Sequence, residues 1–179
     1  MSFDLHDTGE KKKNMNKYHE NFIGQNFDRR DLSKSIFIDC NFTLASFFCA
    51  NLTDVTMINC NVTGVTFTGS DLYRANLSGS KLIKANIIGA NLTGANLINT
   101  TLTFSNCIYS NFTGTKLINA DLTGCNMTRA DFARADLSYS NLAYTDFSFA
   151  NVTDCLLTIA TFHHTIWVDG KEYNQNPGG

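Results

Sequence analysis

At 179 residues with a formal net charge of −2, the chain has the length of one domain and lacks the strongly basic balance that general nucleic-acid binding requires. No run approaches the roughly 18 consecutive apolar residues of a membrane span. Its six cysteines form neither a CxxC pair nor a metal-like cluster.

Residues 1–20 are read as a charged N-terminal segment or cap. Lys11, Lys12, Lys13 and Lys17 are followed by no apolar stretch, so the segment does not read as a secretory signal. The cytoplasm, with reduced thiols, is the expected location.

From Phe22 the residue at every fifth position is apolar, through thirty registers to Trp167. Two positions before each centre the side chain is small, as in Ala45, Ala75 and Ala160. Immediately before the centre stands mostly Asn, Asp, Ser or Thr, and two positions after it often Gly, as in Gly64, Gly94 and Gly124. Glycine or asparagine there suits a turn with positive φ. A helix wants a period of 3.6 and a strand a period of 2; five fits neither. Five-residue sides joined by bends do fit, provided successive coils hydrogen-bond at about 4.8 Å.

The units Ala75-Asn76-Leu77-Ser78-Gly79, Ala90-Asn91-Leu92-Thr93-Gly94 and Ala120-Asp121-Leu122-Thr123-Gly124 resemble the pentapeptide repeat. The resemblance covers roughly residues 20–168. It implies an all-β fold, a right-handed quadrilateral β-helix of about 7.5 coils over 21–168, with the centre and the small residue facing inward. Nine N-x-S/T sequons are expected as by-products of this repeat rather than as glycosylation sites. Cys40 and Cys60 share an inward column, where small buried thiols are expected in preference to a disulfide.

Stepping by twenty sorts the outward residues by side. The fourth side carries Ile38, Ile58, Ile98, Ile118, Tyr139 and Ile159, a candidate face for a protein partner or a homodimer. The alternative is that β-branched residues simply stack along a ladder. The third side carries a candidate acidic column in Asp31, Asp71 and Asp131.

No catalytic, cofactor or metal site is expected. The histidines are His6, His19, His163 and His164, and no HExxH, GxSxG, Walker or GxGxxG context accompanies them. Function is therefore expected on the outer faces, as a non-enzymatic protein-binding scaffold without direct contact to nucleic acid or membrane. The resemblance also implies an alternative, a DNA mimic that modulates type II topoisomerase, DNA gyrase above all, with effects on quinolone sensitivity. The charge departs from that pattern: between residues 35 and 165 eight acids face six bases. Finally, residues 169–179 are read as a C-terminal tail that turns over the last coil at Asp169-Gly170. The single proline, Pro177, lies outside the repeat, as a hydrogen-bonded ladder requires.

Overall fold

From Asn16 to Ile166 each rung of the ladder finds its partner twenty residues along the chain and in parallel: Asn16 with Ile36, Asp71 with Asn91, Asp146 with Ile166. A twenty-residue coil built from five-residue units has four sides. This register runs through the computed structural model, which describes residues 14–177. Three short strands, β1 (Asn16–Tyr18), β2 (Ile36–Ile38) and β3 (Thr56–Ile58), form one parallel sheet in that order. Most other rungs are single-residue bridges, because each side extends for only a few residues before it bends.

One unit accounts for all five of its backbone amides. Asn91 donates to the Ser70 carbonyl of the preceding coil (3.0 Å), whereas Leu92 and Gly94 donate to Asn111 (2.7 Å) and Thr113 (2.9 Å) of the next. Ala95 closes the turn onto the Leu92 carbonyl (2.9 Å). The remaining amide, that of Thr93, donates to the Asn91 side-chain oxygen at 3.1 Å. Buried backbone groups must be paired, so the Asn or Asp before the centre is a structural part: it accepts from the one amide the ladder does not reach.

The inside follows from the same unit. Centres such as Phe37, Leu92 and Phe132 are fully buried, as are the small residues Ala75 and Ala95. Phenylalanines in one column stack coil on coil, Phe22 on Phe42 at 4.8 Å and Phe112 on Phe132 at 4.7 Å. Such pairs contribute about 0.5–1.5 kcal/mol beyond their area. Hydroxyl and thiol groups are tolerated at the small inward position because they donate to backbone carbonyls, most to the preceding coil and Ser70, Thr100 and Ser140 to the centre three residues earlier. Ser80 bonds the Met57 carbonyl at 2.7 Å, Thr115 that of Leu92 at 2.8 Å, and Cys125 that of Leu102 at 2.9 Å. Cys40 and Cys60 are buried free thiols, and burial pushes the Cys60 thiol up to about 12.

The corners carry the main surprise. Every residue two places after a centre, from His19 to His164, has positive φ between 50° and 70°. Glycine occupies only a minority of them; Leu44, Phe104, Tyr109 and Ile159 adopt the same left-handed conformation. The turn is imposed by the ladder on whatever side chain stands there.

At the N-terminal end, Asn16–Tyr18 already pair with Ile36–Ile38, which puts Lys17 opposite Phe37 in the inward register. The first thirteen residues of the segment read as a cap lie outside the described residues. At the other end the chain reverses at Asp169-Gly170. There β4 (Thr165–Ile166) pairs antiparallel with β5 (Glu172–Tyr173). The Trp167 amide donates to the Lys171 carbonyl at 2.8 Å, and the Lys171 amide to Asp169 at 3.0 Å. That amide holds the Asp169 carboxyl below its usual range. Strand β5 covers the ladder edge of the second side, and Trp167 packs against Phe147 (5.1 Å) and Phe162 (5.2 Å). Among the described residues no further coil covers the third and fourth sides, and the inward Val152 and Leu157 are only partly buried.

Candidate interaction surface

The two surfaces singled out from the sequence are arranged very differently. On the fourth side, Ile38, Ile58, Ile98 and Ile118 are half-buried, while Tyr139 and Ile159 stand exposed. Ile38 and Ile58 are direct ladder partners, and Ile98 and Ile118 stand in the same column, one coil apart.

On the third side the carboxylates are tied into the framework. Asp71 accepts from the Tyr73 amide (3.1 Å) and from the Asn91 side-chain amide one coil on (2.9 Å). Asp31 does the same with the Ser33 amide (3.0 Å) and Asn51 (3.1 Å), and Asp131 with the Ala133 amide (2.9 Å) and Asn151 (3.0 Å). The alternation of Asp and Asn therefore builds donor–acceptor steps along the rod. The face also balances its charge: Asp31, Asp54, Asp71, Asp131 and Asp154 stand beside Arg30, Lys34, Arg74 and Arg134. Arg74 and Asp54 form an ion pair at 3.3 Å.

The exposed apolar groups lie mainly at the corners instead. Of the seven large apolar residues that are both exposed and left-handed, Leu44, Phe104, Tyr109, Tyr139, Tyr144, Phe149 and Ile159, six fall at or beyond residue 104. The left-handed conformation costs a residue with a β-carbon about 1–2 kcal/mol, and an exposed side chain regains little of that by packing. Neither turn geometry nor core stability selects an aromatic residue there. The sequence does contain the signal: these residues stand in the register where Gly and Asn are expected. Of the seven, Tyr139 and Ile159 already belong to the fourth-side candidate face read from the sequence.

Two of these corners hold a cation between rings. The Arg129 guanidinium lies 5.6 Å from the Tyr109 ring centroid and 5.7 Å from that of Phe149, and it donates to the Tyr109 hydroxyl. Farther on, Tyr144 stacks on His164 at 5.3 Å, whose Nδ1 lies 2.7 Å from Glu172 Oε1. Among the described residues no group of three His, Cys, Asp or Glu is disposed to hold a metal ion, and no helix is long and apolar enough to cross a membrane.

Comparison with known proteins matches this architecture. The family profile described as "Pentapeptide repeat region" matches residues 19–87, and that described as "Pentapeptide repeats (8 copies)" matches 80–117, 95–132 and 120–158. No curated protein matches by sequence. Among solved structures, the chain is similar to HetL, a pentapeptide repeat protein involved in heterocyst differentiation regulation from the cyanobacterium Nostoc sp. strain PCC 7120. That likeness has a TM-score of 0.68 at 21% identity, over 90% of this chain and 82% of HetL. It is also similar to Rfr23 from the cyanobacterium Cyanothece 51142, with a TM-score of 0.52 at 25% identity, over 63% of this chain and 90% of that one. QnrB1, a plasmid-mediated fluoroquinolone resistance protein, gives a TM-score of 0.49 at 22% identity, over 82% of each chain. The shared fold is the right-handed quadrilateral β-helix.

Proposed function

This chain belongs to the pentapeptide repeat family, and on that premise we propose that it works as a non-enzymatic protein-binding scaffold. One observation carries the reading: the exposed aromatic residues gathered on left-handed corners beyond residue 104. Tyrosine and arginine are the residues in which interface energy concentrates. A side chain that costs stability and stays in water is best accounted for by a partner that covers it. The rigid ladder beneath fixes the spacing of these groups, so little conformational entropy is lost on docking.

The test is a crosslinked co-purification from the native host with the wild-type chain and with a triple variant, Tyr109→Ser, Tyr144→Ser and Phe149→Ser. The expected result is a defined partner protein recovered by the wild type and lost by the variant. Recovery of no protein by the wild type would overturn the scaffold reading. The fourth side enters the same experiment through Ile98→Lys with Ile118→Lys: loss of the partner there instead would move the interface to that face.

DNA mimicry of the kind directed at gyrase is the less favoured reading. Duplex DNA carries a charge about every 1.7 Å, whereas the third side opposes five acids with four bases. The protein is expected to leave gyrase supercoiling unaffected. Inhibition relieved by Asp71→Asn with Asp131→Asn would reverse that preference.

A further inference from the structure

The second side, between residues 104 and 149, has a floor and two raised edges. Its floor is formed by Asn106, Asn126 and Asp146 with the half-buried Ile108. The floor's polar groups are engaged locally: Asn126 accepts from the Thr128 amide at 3.0 Å and Asp146 from the Ser148 amide at 2.8 Å. One edge is the corner row Phe104, Gly124, Tyr144. The Phe104 ring lies over the glycine so closely that a β-carbon there would come within 2.7 Å of it. The other edge is the row Tyr109, Arg129, Phe149. Below it Gly89 leaves open space, with nothing within 4 Å of where a β-carbon would stand.

Arg129 is the distinctive group. Its backbone is locked at φ 59°, its guanidinium is held between two rings, and its side chain is exposed. Among the described residues no carboxylate lies in ion-pair range of it, in contrast to Arg74 on Asp54. A guanidinium fixed in this way keeps donors directed outward in the fork that matches a carboxylate, and its rotamer entropy is already lost before binding.

We propose that this stretch of the second side is the docking surface for an extended acidic segment of a partner protein. One of the segment's carboxylates pairs with Arg129, and apolar neighbours of that carboxylate pack on Tyr109, Phe149 and Tyr144. The inference rests on the scaffold reading and sharpens it to a face and a partner chemistry. Charge decides between protein and nucleic acid. Nucleic-acid backbones are held by several cations at once, whereas between residues 104 and 149 this side presents Arg129 alone, with Asp146 nearby.

Random peptides displayed on phage and selected on the full chain test it. The selected pool is expected to carry Asp or Glu beside aromatic or aliphatic residues. A synthetic peptide of the consensus should bind Arg129→Gln about thirtyfold more weakly than wild type. Arg129→Lys should recover only part of that, because an ammonium keeps the charge without the fork. Thermal melts of both variants should stay within a few degrees of the wild type, since the ring contacts of Arg129 are exposed and each contributes about 0.5–1 kcal/mol. A pool without acidic enrichment, no enrichment at all, or equal binding by Arg129→Gln would overturn the proposal. Binding of duplex DNA that Arg129→Gln abolishes would assign the face to nucleic acid, and self-association that it abolishes would assign it to a second copy; either overturns the proposal. If the proposal fails while the host co-purification still yields a partner, the scaffold reading stands without it.

Discussion

A left-handed corner treats its side chains unequally, and the inequality is measurable. Ile159 combines φ 56° with a β-branched side chain that is 71% exposed. Ile159→Gly is therefore expected to raise stability by about 1 kcal/mol, read as a higher melting midpoint. The mirror change, Gly114→Ala, enters open space at φ 63° and should lower stability by about 1 kcal/mol. An unchanged or lower midpoint for Ile159→Gly would mean that the isoleucine packs more productively than its exposure suggests. Thiols offer a second residue-scale test. Burial raises the Cys60 and Cys125 thiols from 9.0 to about 12, so the folded state keeps protons that the unfolded chain releases. Their contribution is complete below pH about 9 and is lost as the pH climbs toward 12. Cys125→Ser should flatten this alkaline decline in chemical denaturation while costing little at neutral pH, because a hydroxyl can donate to the same Leu102 carbonyl. Ellman's reagent at pH 8 should find Cys49, the one exposed cysteine among the six, reacting first.

At the scale of the five-residue side, the Asn or Asp before the centre does the work that a cap does for a helix. Asn91 accepts from both the amide and the hydroxyl of Thr93, at 3.1 and 2.7 Å. Asn91→Ala strands a half-buried amide and is expected to cost about 1–3 kcal/mol in urea unfolding. Asn91→Asp keeps the acceptor but removes the donor to Asp71 and sets two carboxylates face to face. It too should destabilise at neutral pH, and a variant as stable as wild type would deny the Asp–Asn step any energetic role. The same bond recurs in five of the nine sequons, those of Asn41, Asn61, Asn91, Asn126 and Asn151: in Asn41-Phe42-Thr43 and Asn151-Val152-Thr153 the hydroxyl donates to the asparagine (2.6 and 2.7 Å). The side was the most legible unit in the sequence, because its inward residues recur without interruption. The asparagine's role was not legible, since nothing in a pattern of residue types says which amide a ladder leaves unpaired. The fourth-side isoleucines were conspicuous in the sequence for a related reason. Alternation marks them as outward, yet how far an outward β-branched residue is covered depends on its neighbours one coil away, and Ile58 is covered from Ile38's side of the ladder.

Over the described residues, cohesion is carried from coil to coil by bonds between neighbouring coils. Stability in such an array is close to a sum over neighbouring interfaces, so the ends should open first. The C-terminal end is the weaker candidate, because strand β5 closes the second side only and, among the described residues, no further coil accepts from the amides of Val152, Leu157 and Ile159. Hydrogen exchange should therefore be fastest there and slowest through the coils around Leu77 to Leu117. Uniform protection from one end to the other would point instead to a single cooperative unit. The corner residues that single out one part of the surface were the least legible feature at this scale. Their chemistry was in plain view, but their grouping appears only when residues five and twenty apart are laid on the same edge.

The invariant partner distance of twenty residues also gives the rod an angular phase. Inserting one five-residue unit near residue 100 would preserve the core, the bonding and the repeat, yet turn everything beyond it by a quarter revolution relative to everything before. Tyr109, Arg129 and Phe149 would then come into line with Lys34, Asp54 and Arg74 instead of with Arg29, Cys49 and Gly69. Only an insertion of four units restores the alignment. Length changes that are silent for folding are thus rotations for recognition, and a partner that grips both halves of the rod would sense a quarter of a coil's worth of sequence as a wholly different surface.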